Sequence, residues 1–179
     1  DSNVRVGITR AGNVIGGGDW AEDRIVPDCI NAWSKGETVD IRSPKATRPW
    51  QHVLEPLSGY LALSSALSQG PELHGEPFNF GPPLHQNHTV KELVESLSKL
   101  LPETRWKVDS VSGNSTKESG LLKLNCEKSH QFLQWRAVLD FSETVRMTGE
   151  WYQAFYNEKQ TSIIETTSRQ IQEYAEKAT

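Results

Sequence analysis

What most limits how this chain can fold is its alternation of short β-branched runs with longer runs of helical period. Residues 4–9 (VRVGIT) alternate in polarity and end at Arg10-Ala11-Gly12-Asn13, so they read as a strand entering a loop. Gly16-Gly17-Gly18-Asp19 follows, with no side chains to crowd a turn or a ligand. Residues 24–35 then place Ile25, Val26, Cys29, Ile30 and Trp33 at helical spacing, with Pro27 tolerable only in a first turn and Gly36 as the stop. The alternation continues with a strand at 38–41, a turn-rich loop at 43–47 and an extended segment at 48–53. A helix at 55–67 opens on Pro56, and a strand at 77–81 runs into Gly81-Pro82-Pro83. Thr89 and Glu92 have the spacing of a capping box for a helix reaching 101. Strands are expected at 106–108 and 121–124, a polar loop at 111–120, and helices at 127–133, 141–157 and 163–178. Strand alternating with helix predicts an α/β layered fold without internal repeats.

Bulk properties exclude several functions. Of the 179 residues, 36% are hydrophobic and 23% charged, a globular balance rather than a disordered one. No apolar run approaches the roughly 18 residues of a membrane helix, so no membrane partner is expected. The net charge of -4 gives no basic surface for nucleic acid. Cys29 and Cys126 are far apart and outside any metal spacing, so they read as two thiols in a reducing cytoplasm. The first ten residues, DSNVRVGITR, lack the basic and apolar regions of a signal peptide and enter a strand at once, which reads as a start within a longer protein.

The catalytic inventory is poor. The sequence holds no G-x-G-x-x-G phosphate loop, no HExxH, and no Tyr four residues before a Lys in a helix. Tyr60, Tyr152, Tyr156 and Tyr174 fall at packing positions in helices, and His52 reads as a packed histidine. His85 and His88 lack a third ligand, so no metal site is expected. Polar residues do gather at element ends, where α/β folds bind ligands: Asn13, Arg24, Arg42, Arg48 and Asn79. Guanidinium forks suit a diphosphate, but surface arginines in ordinary ion pairs would give the same pattern, and spacing leaves both readings open.

Residues 10–28 (RAGNVIGGGDWAEDRIVPD) and 41–61 (IRSPKATRPWQHVLEPLSGYL) closely resemble the CDP-glucose 4,6-dehydratases, of the extended short-chain dehydrogenase/reductase group. The likeness continues through 78–82, 118–129 and 133–152. It implies the carboxy-terminal part of an NAD-binding Rossmann-type enzyme. Residues 1–179 would form its substrate-binding portion with the last strands of the sheet, and the cofactor-binding and catalytic portion would lie upstream. In this family NAD takes hydride from C4 of the sugar, water is eliminated across C5 and C6, and hydride returns to C6. The resemblance implies no catalytic residue within this chain, which alone should be inactive, and a first strand that has lost its sheet neighbour.

Roles transfer residue by residue. Arg10, Ala11, Gly12 and Asn13 match the strand end beside the nicotinamide, with the backbone of Ala11 and Gly12 meeting its carboxamide. Asn13 would also reach the sugar-proximal phosphate. Trp20 and Arg24 match a substrate-side loop and helix start, Asp40, Ile41 and Arg42 a strand that reads the base, Arg48 the diphosphate arginine, and Glu118 an acidic residue near the ribose. The chain departs from many relatives at Pro49, where they carry an acidic residue. It departs again at Ser115, where they carry a second phosphate arginine that Arg42 or Lys117 would replace. A CDP-sugar ligand, a homo-oligomeric full-length enzyme and a cytoplasmic location are implied. Another nucleotide-sugar epimerase or dehydratase, or a non-enzymatic nucleotide-binding module, are the competing expectations.

Overall fold

The structure is a computed structural model that describes residues 4–101, 103–108, 123–157 and 162–179. Its first strand, β1 (Ile8–Ala11), begins where a partner first becomes available. It runs parallel to Pro77–Phe80, with Ile8 opposite Pro77 and Ala11 opposite Phe80. Residues 4–7 face the turn that precedes that partner. Val6 N–H donates to His74 Nδ1 at 3.1 Å, and Gly75 N–H donates to the Val6 carbonyl at 2.7 Å. The strand expected at 4–9 is therefore displaced toward the carboxyl end. No second strand flanks β1 among the described residues, and Val4, Val6 and Ile8 are exposed.

The loop expected at 10–13 does not form. The chain stays extended through Gly12 into β2 (Asn13–Ile15) and changes partner, because β2 pairs parallel with Trp50–His52. Gly12 makes the change possible. Its N–H donates to the Phe80 carbonyl at 3.1 Å, and a Cβ there would stand 2.8 Å from the Pro49 carbonyl oxygen.

The remaining elements are α1 (Ile25–Ser34), β3 (Thr38–Ile41), β4 (Thr47–Arg48), β5 (Trp50–His52), α2 (Leu54–Gln69), β6 (Pro77–Phe80), β7 (His88–Thr89), α3 (Val90–Ser98), β8 (Arg105–Val108), α4 (Glu127–Leu133), α5 (Phe141–Tyr156) and α6 (Ile163–Ala178). β3 pairs parallel with β8, and β4 pairs antiparallel with β7. Pro49, with no N–H to give, separates β4 from β5 within the segment expected to be one strand. The capping box of Thr89 and Glu92 is present, and a second one opens α5 from Asp140 and Glu143. Of the strand expected at 121–124, residues 121 and 122 lie outside the described residues, and 123–124 are not strand.

Three apolar clusters hold these parts. The largest joins Val26, Cys29, Ile30 and Trp33 of α1 to Val39 and Ile41 of β3, Leu93, Val94 and Leu97 of α3, and Val145 and Tyr152 of α5. Burial pushes the Cys29 thiol up to about 12, so it is inert packing rather than a nucleophile. A second cluster packs Leu63 of α2 on Phe78 and Phe80 of β6 and on Trp135. The third joins α5 and α6 through Leu139, Met147 and Tyr174.

Glu55 fastens α2 to the segment before α5 and to α6. Its side chain is buried, and Oε1 accepts the N–H groups of Val138 (2.8 Å) and Leu139 (2.7 Å) while Oε2 accepts Tyr174 O–H (2.9 Å). Burial raises its pKa above the ordinary 4.5, and the three donors only partly oppose this. The folded chain therefore keeps this proton to higher pH than the unfolded chain. Glu55 costs stability as pH rises from 4.5 through the raised value, by at most about 1.4 kcal/mol per pH unit. His52 works oppositely: burial, then the Arg146 charge, lowers it from 6.5 to about 4, and stability falls as pH drops through that window. Glu55→Gln keeps the acceptor and removes one titration. Thermal melts of variant and parent from pH 4.5 to 7 should show the variant losing less stability with rising pH; parallel curves would contradict this.

Candidate functional site

Where the chain leaves β6 for β5, the strands diverge and a cleft of about 790 Å³ opens. Its floor is Gly12, Asn13, Ile15 and Gly16. One wall is the first turn of α1, and the other is the end of β3 with Arg48 and Trp50. Seven residues singled out from sequence line it: Gly12, Asn13, Arg24, Asp40, Ile41, Arg42 and Arg48.

Each is placed by its element. Asn13 opens β2 opposite Trp50. Arg24 is the N-cap of α1, and its carbonyl accepts the Asp28 N–H at 2.9 Å, the first turn of the helix. The amides of Ile25 and Val26 therefore precede the intrahelical ladder and have no partner within the helix, while Pro27 has no amide to satisfy. All three residues line the cleft, so the helix presents its donor-rich, electropositive end there. On β3 the side chains alternate. Val39 and Ile41 are buried in the core, while Asp40, and Arg42 just past the strand, are exposed and line the cleft. Asp40 is engaged by Lys107 of β8 at 3.3 Å. Arg48, opposite His88 in the β4–β7 pair, donates from Nη1 to the Thr47 carbonyl at 2.9 Å.

The cleft is not a simple cationic funnel. Arg24, Arg42 and Arg48 share it with Asp19, Asp23, Asp28 and Asp40, and the sequence reading missed the first three aspartates. Their turn-favouring composition before a helix was the available signal. Asp19 pairs with Arg24 at 3.0 Å. Asp28 has its carboxyl pKa raised, by burial first and by Asp23 second, with Arg42 opposing.

Other expected site residues are placed elsewhere. Arg10 and Ala11 lie on β1, beyond Gly12 from the cleft. The Gly12 amide, bonded to Phe80, is not available to a carboxamide. Trp20 does not line the cleft; it packs edge-on against Tyr152 at 5.4 Å between ring centres and lies 5.0 Å from Phe155. Glu118, Ser115 and Lys117 lie outside the described residues. His52 is buried, and His88 stacks on Phe141 at 3.8 Å. No group of three or more metal-capable side chains exists among the described residues, and none of their helices is long and apolar enough to cross a membrane.

The architecture matches solved enzymes. A UDP-glucuronic acid 4-epimerase from Bacillus cereus, in complex with UDP-glucuronic acid and NAD, superposes with a TM-score of 0.69 at 16% identity, over 86% of this chain and 47% of the epimerase. A dTDP-glucose 4,6-dehydratase from Bacillus anthracis, in complex with NAD, gives 0.64 at 22% identity, over 86% and 45%. The chain thus shares the fold of about half of each of these two enzymes. No family model matches the chain. In sequence it is 37% identical, over 172 residues and 96% of its length, to the CDP-glucose 4,6-dehydratase of Salmonella typhimurium, so the resemblance to these dehydratases holds along nearly the whole chain. The chain spans about half of that relative, 47%.

Gly12 tests the geometry. Gly12→Ala would put a methyl 2.8 Å from a backbone oxygen that cannot move without Pro49. A loss of about 1–3 kcal/mol is expected by denaturant unfolding, the usual cost of overpacking; unchanged stability would show that β2 and β5 are not held this closely.

Proposed function

We propose that the cleft binds the diphosphate and base of a nucleotide sugar, and that this chain is the substrate-binding part of a CDP-glucose 4,6-dehydratase. The observation that carries this is convergence. Asn13, Arg24, Arg42 and Arg48 come from four separate elements or their ends and line one cleft together with the amino end of α1. Guanidinium forks and helix amides match phosphate oxygens in both charge and geometry. Of the four aspartates, Asp19 and Asp40 are already paired with Arg24 and Lys107 at 3.0 and 3.3 Å. The end of β3 supports base reading, since Asp40 and Arg42 are exposed there and line the cleft. The relative at 37% identity carries the CDP-glucose name, which favours that base over those of the two structural neighbours.

The bound part of the reaction falls to these residues: they fix the nucleotide so that the sugar is held at one place. NAD, when bound, would supply the acceptor and donor of hydride. The strand end of β1 fits such a group in one respect: Asn79, in register with Arg10, keeps a buried Oδ1 acceptor without a partner among the described residues. That acceptor suits an amide donor. We place the working enzyme in the cytoplasm as a homo-oligomer, with both cysteines as thiols.

Titration calorimetry on this chain should show CDP binding, with UDP weaker. Arg48→Ala should lower CDP affinity about ten- to a hundredfold, the scale of one charge-assisted contact. Arg42→Ala should narrow the preference for CDP over UDP. Equal binding of CDP and UDP by the parent would sink the cytidine assignment, and an unaffected Arg48→Ala would sink the diphosphate site.

A further inference from the structure

Arg24 reaches the cleft from an exposed position, its side chain 63% accessible. A long side chain so placed costs conformational entropy when a ligand fixes it. In this structure it is already fixed, by a neighbour that is itself anchored. Asp19 Oδ2 accepts Arg24 Nη1 at 3.0 Å, and Asp19 Oδ1 accepts the Ala21 N–H at 3.1 Å. The Asp19 carbonyl accepts the hydroxyl of Tyr152 at 2.7 Å, from a residue 133 positions away on α5. The loop is also pressed onto α5 at Gly17, where a Cβ would stand 2.0 Å from the ring of Trp151. Trp151 is tied in turn to α6 through its indole N–H, which donates to Thr167 Oγ1 at 3.0 Å.

We infer that Asp19 is a positioning residue for the anion site, holding Arg24 in its binding orientation, and that Tyr152 holds Asp19. The inference rests on the nucleotide-diphosphate reading of the cleft. The opposing effect is repulsion, because the carboxylate also lines the cleft. Positioning should win, for two reasons. A guanidinium has donors on three nitrogens, so a carboxylate on Nη1 leaves Nη2 and Nε for phosphate. The Asp19 charge is also already compensated by the cation it holds. Aspartate and tyrosine thus do for the ligand what a preorganised site does: the ordering cost falls on folding and not on binding.

Three proteins decide it: the parent chain, Asp19→Asn and Tyr152→Phe, each titrated with CDP and with cytidine. Asp19→Asn should bind CDP about tenfold more weakly, the scale of one long side chain's lost ordering. Its binding of cytidine, which has no phosphate, should be unchanged. Tyr152→Phe removes a single hydroxyl and should give a smaller loss with the same phosphate dependence. A general loosening of the fold would weaken CDP and cytidine alike and would overturn the inference. So would Asp19→Asn binding CDP as tightly as the parent or more tightly, the result expected if repulsion dominates. If Asp19→Asn fails to fold by circular dichroism, Tyr152→Phe alone decides, and equal CDP affinity there would refute the claim. A parent chain that binds no CDP would instead refute the proposed function.

Discussion

The structure depends on one change of partner. β1 runs with β6, the chain passes Gly12, and β2 runs with β5. The cleft opens at this exchange, lined by Gly12, by β2 and by Trp50 at the start of β5. Ligands in open α/β sheets bind at such switch points. Only a residue without a side chain can stand where the Pro49 carbonyl comes within 2.8 Å of a Cβ position, which ties Gly12 and Pro49 to each other across the two strands. Pro49 also supplies the interruption that lets β4 turn aside to β7 while β5 continues to β2.

The cleft's chemistry follows from what that crevice gathers. α1 is held against β3, α3 and α5 by the largest apolar cluster, and this fixes its amino end at the crevice. The ligand-facing surface is thin: exposed or half-buried polar tips stand on elements whose other faces are packed. Ile41 and Val39 show it best, because their burial turns Asp40 outward on β3 and leaves Arg42 exposed at its end. Behind the cleft, Glu55 does a different task with similar chemistry. A buried carboxylate meets two backbone amides and a tyrosine, and so joins α2 to the segment leading into α5 and to α6.

Helices were legible from the sequence where their apolar period was unbroken and their ends were marked. α1 and α6 fall within a residue of expectation, since Gly36 and the run before Thr179 give clear limits. Strands were less legible, because a ladder depends on a partner distant in sequence. Residues 4–7 have the composition of a strand but face a turn, whereas Asn13-Val14-Ile15 gains a partner that only the fold supplies. The two-residue β7 has no composition of its own and exists because Arg48 passes His88. Among the candidate residues, arginines at element ends come together, and seven expected residues share one cleft. Trp20, exposed beside a glycine-rich loop, is placed with its ring against the aromatic end of α5 and not on the cleft lining. The aspartates were overlooked because a carboxylate among arginines makes sense only once its cationic partner is seen.

The central claim is that one cleft at the β6-to-β5 exchange holds a nucleotide diphosphate. A crystal structure of this chain grown with CDP tests it most directly. The account predicts the diphosphate at the amino end of α1, within hydrogen-bonding distance of Arg24 and Arg48, and the base along the outer edge of β3. CDP bound elsewhere, or in the cleft with its phosphates turned away from both arginines, would contradict it.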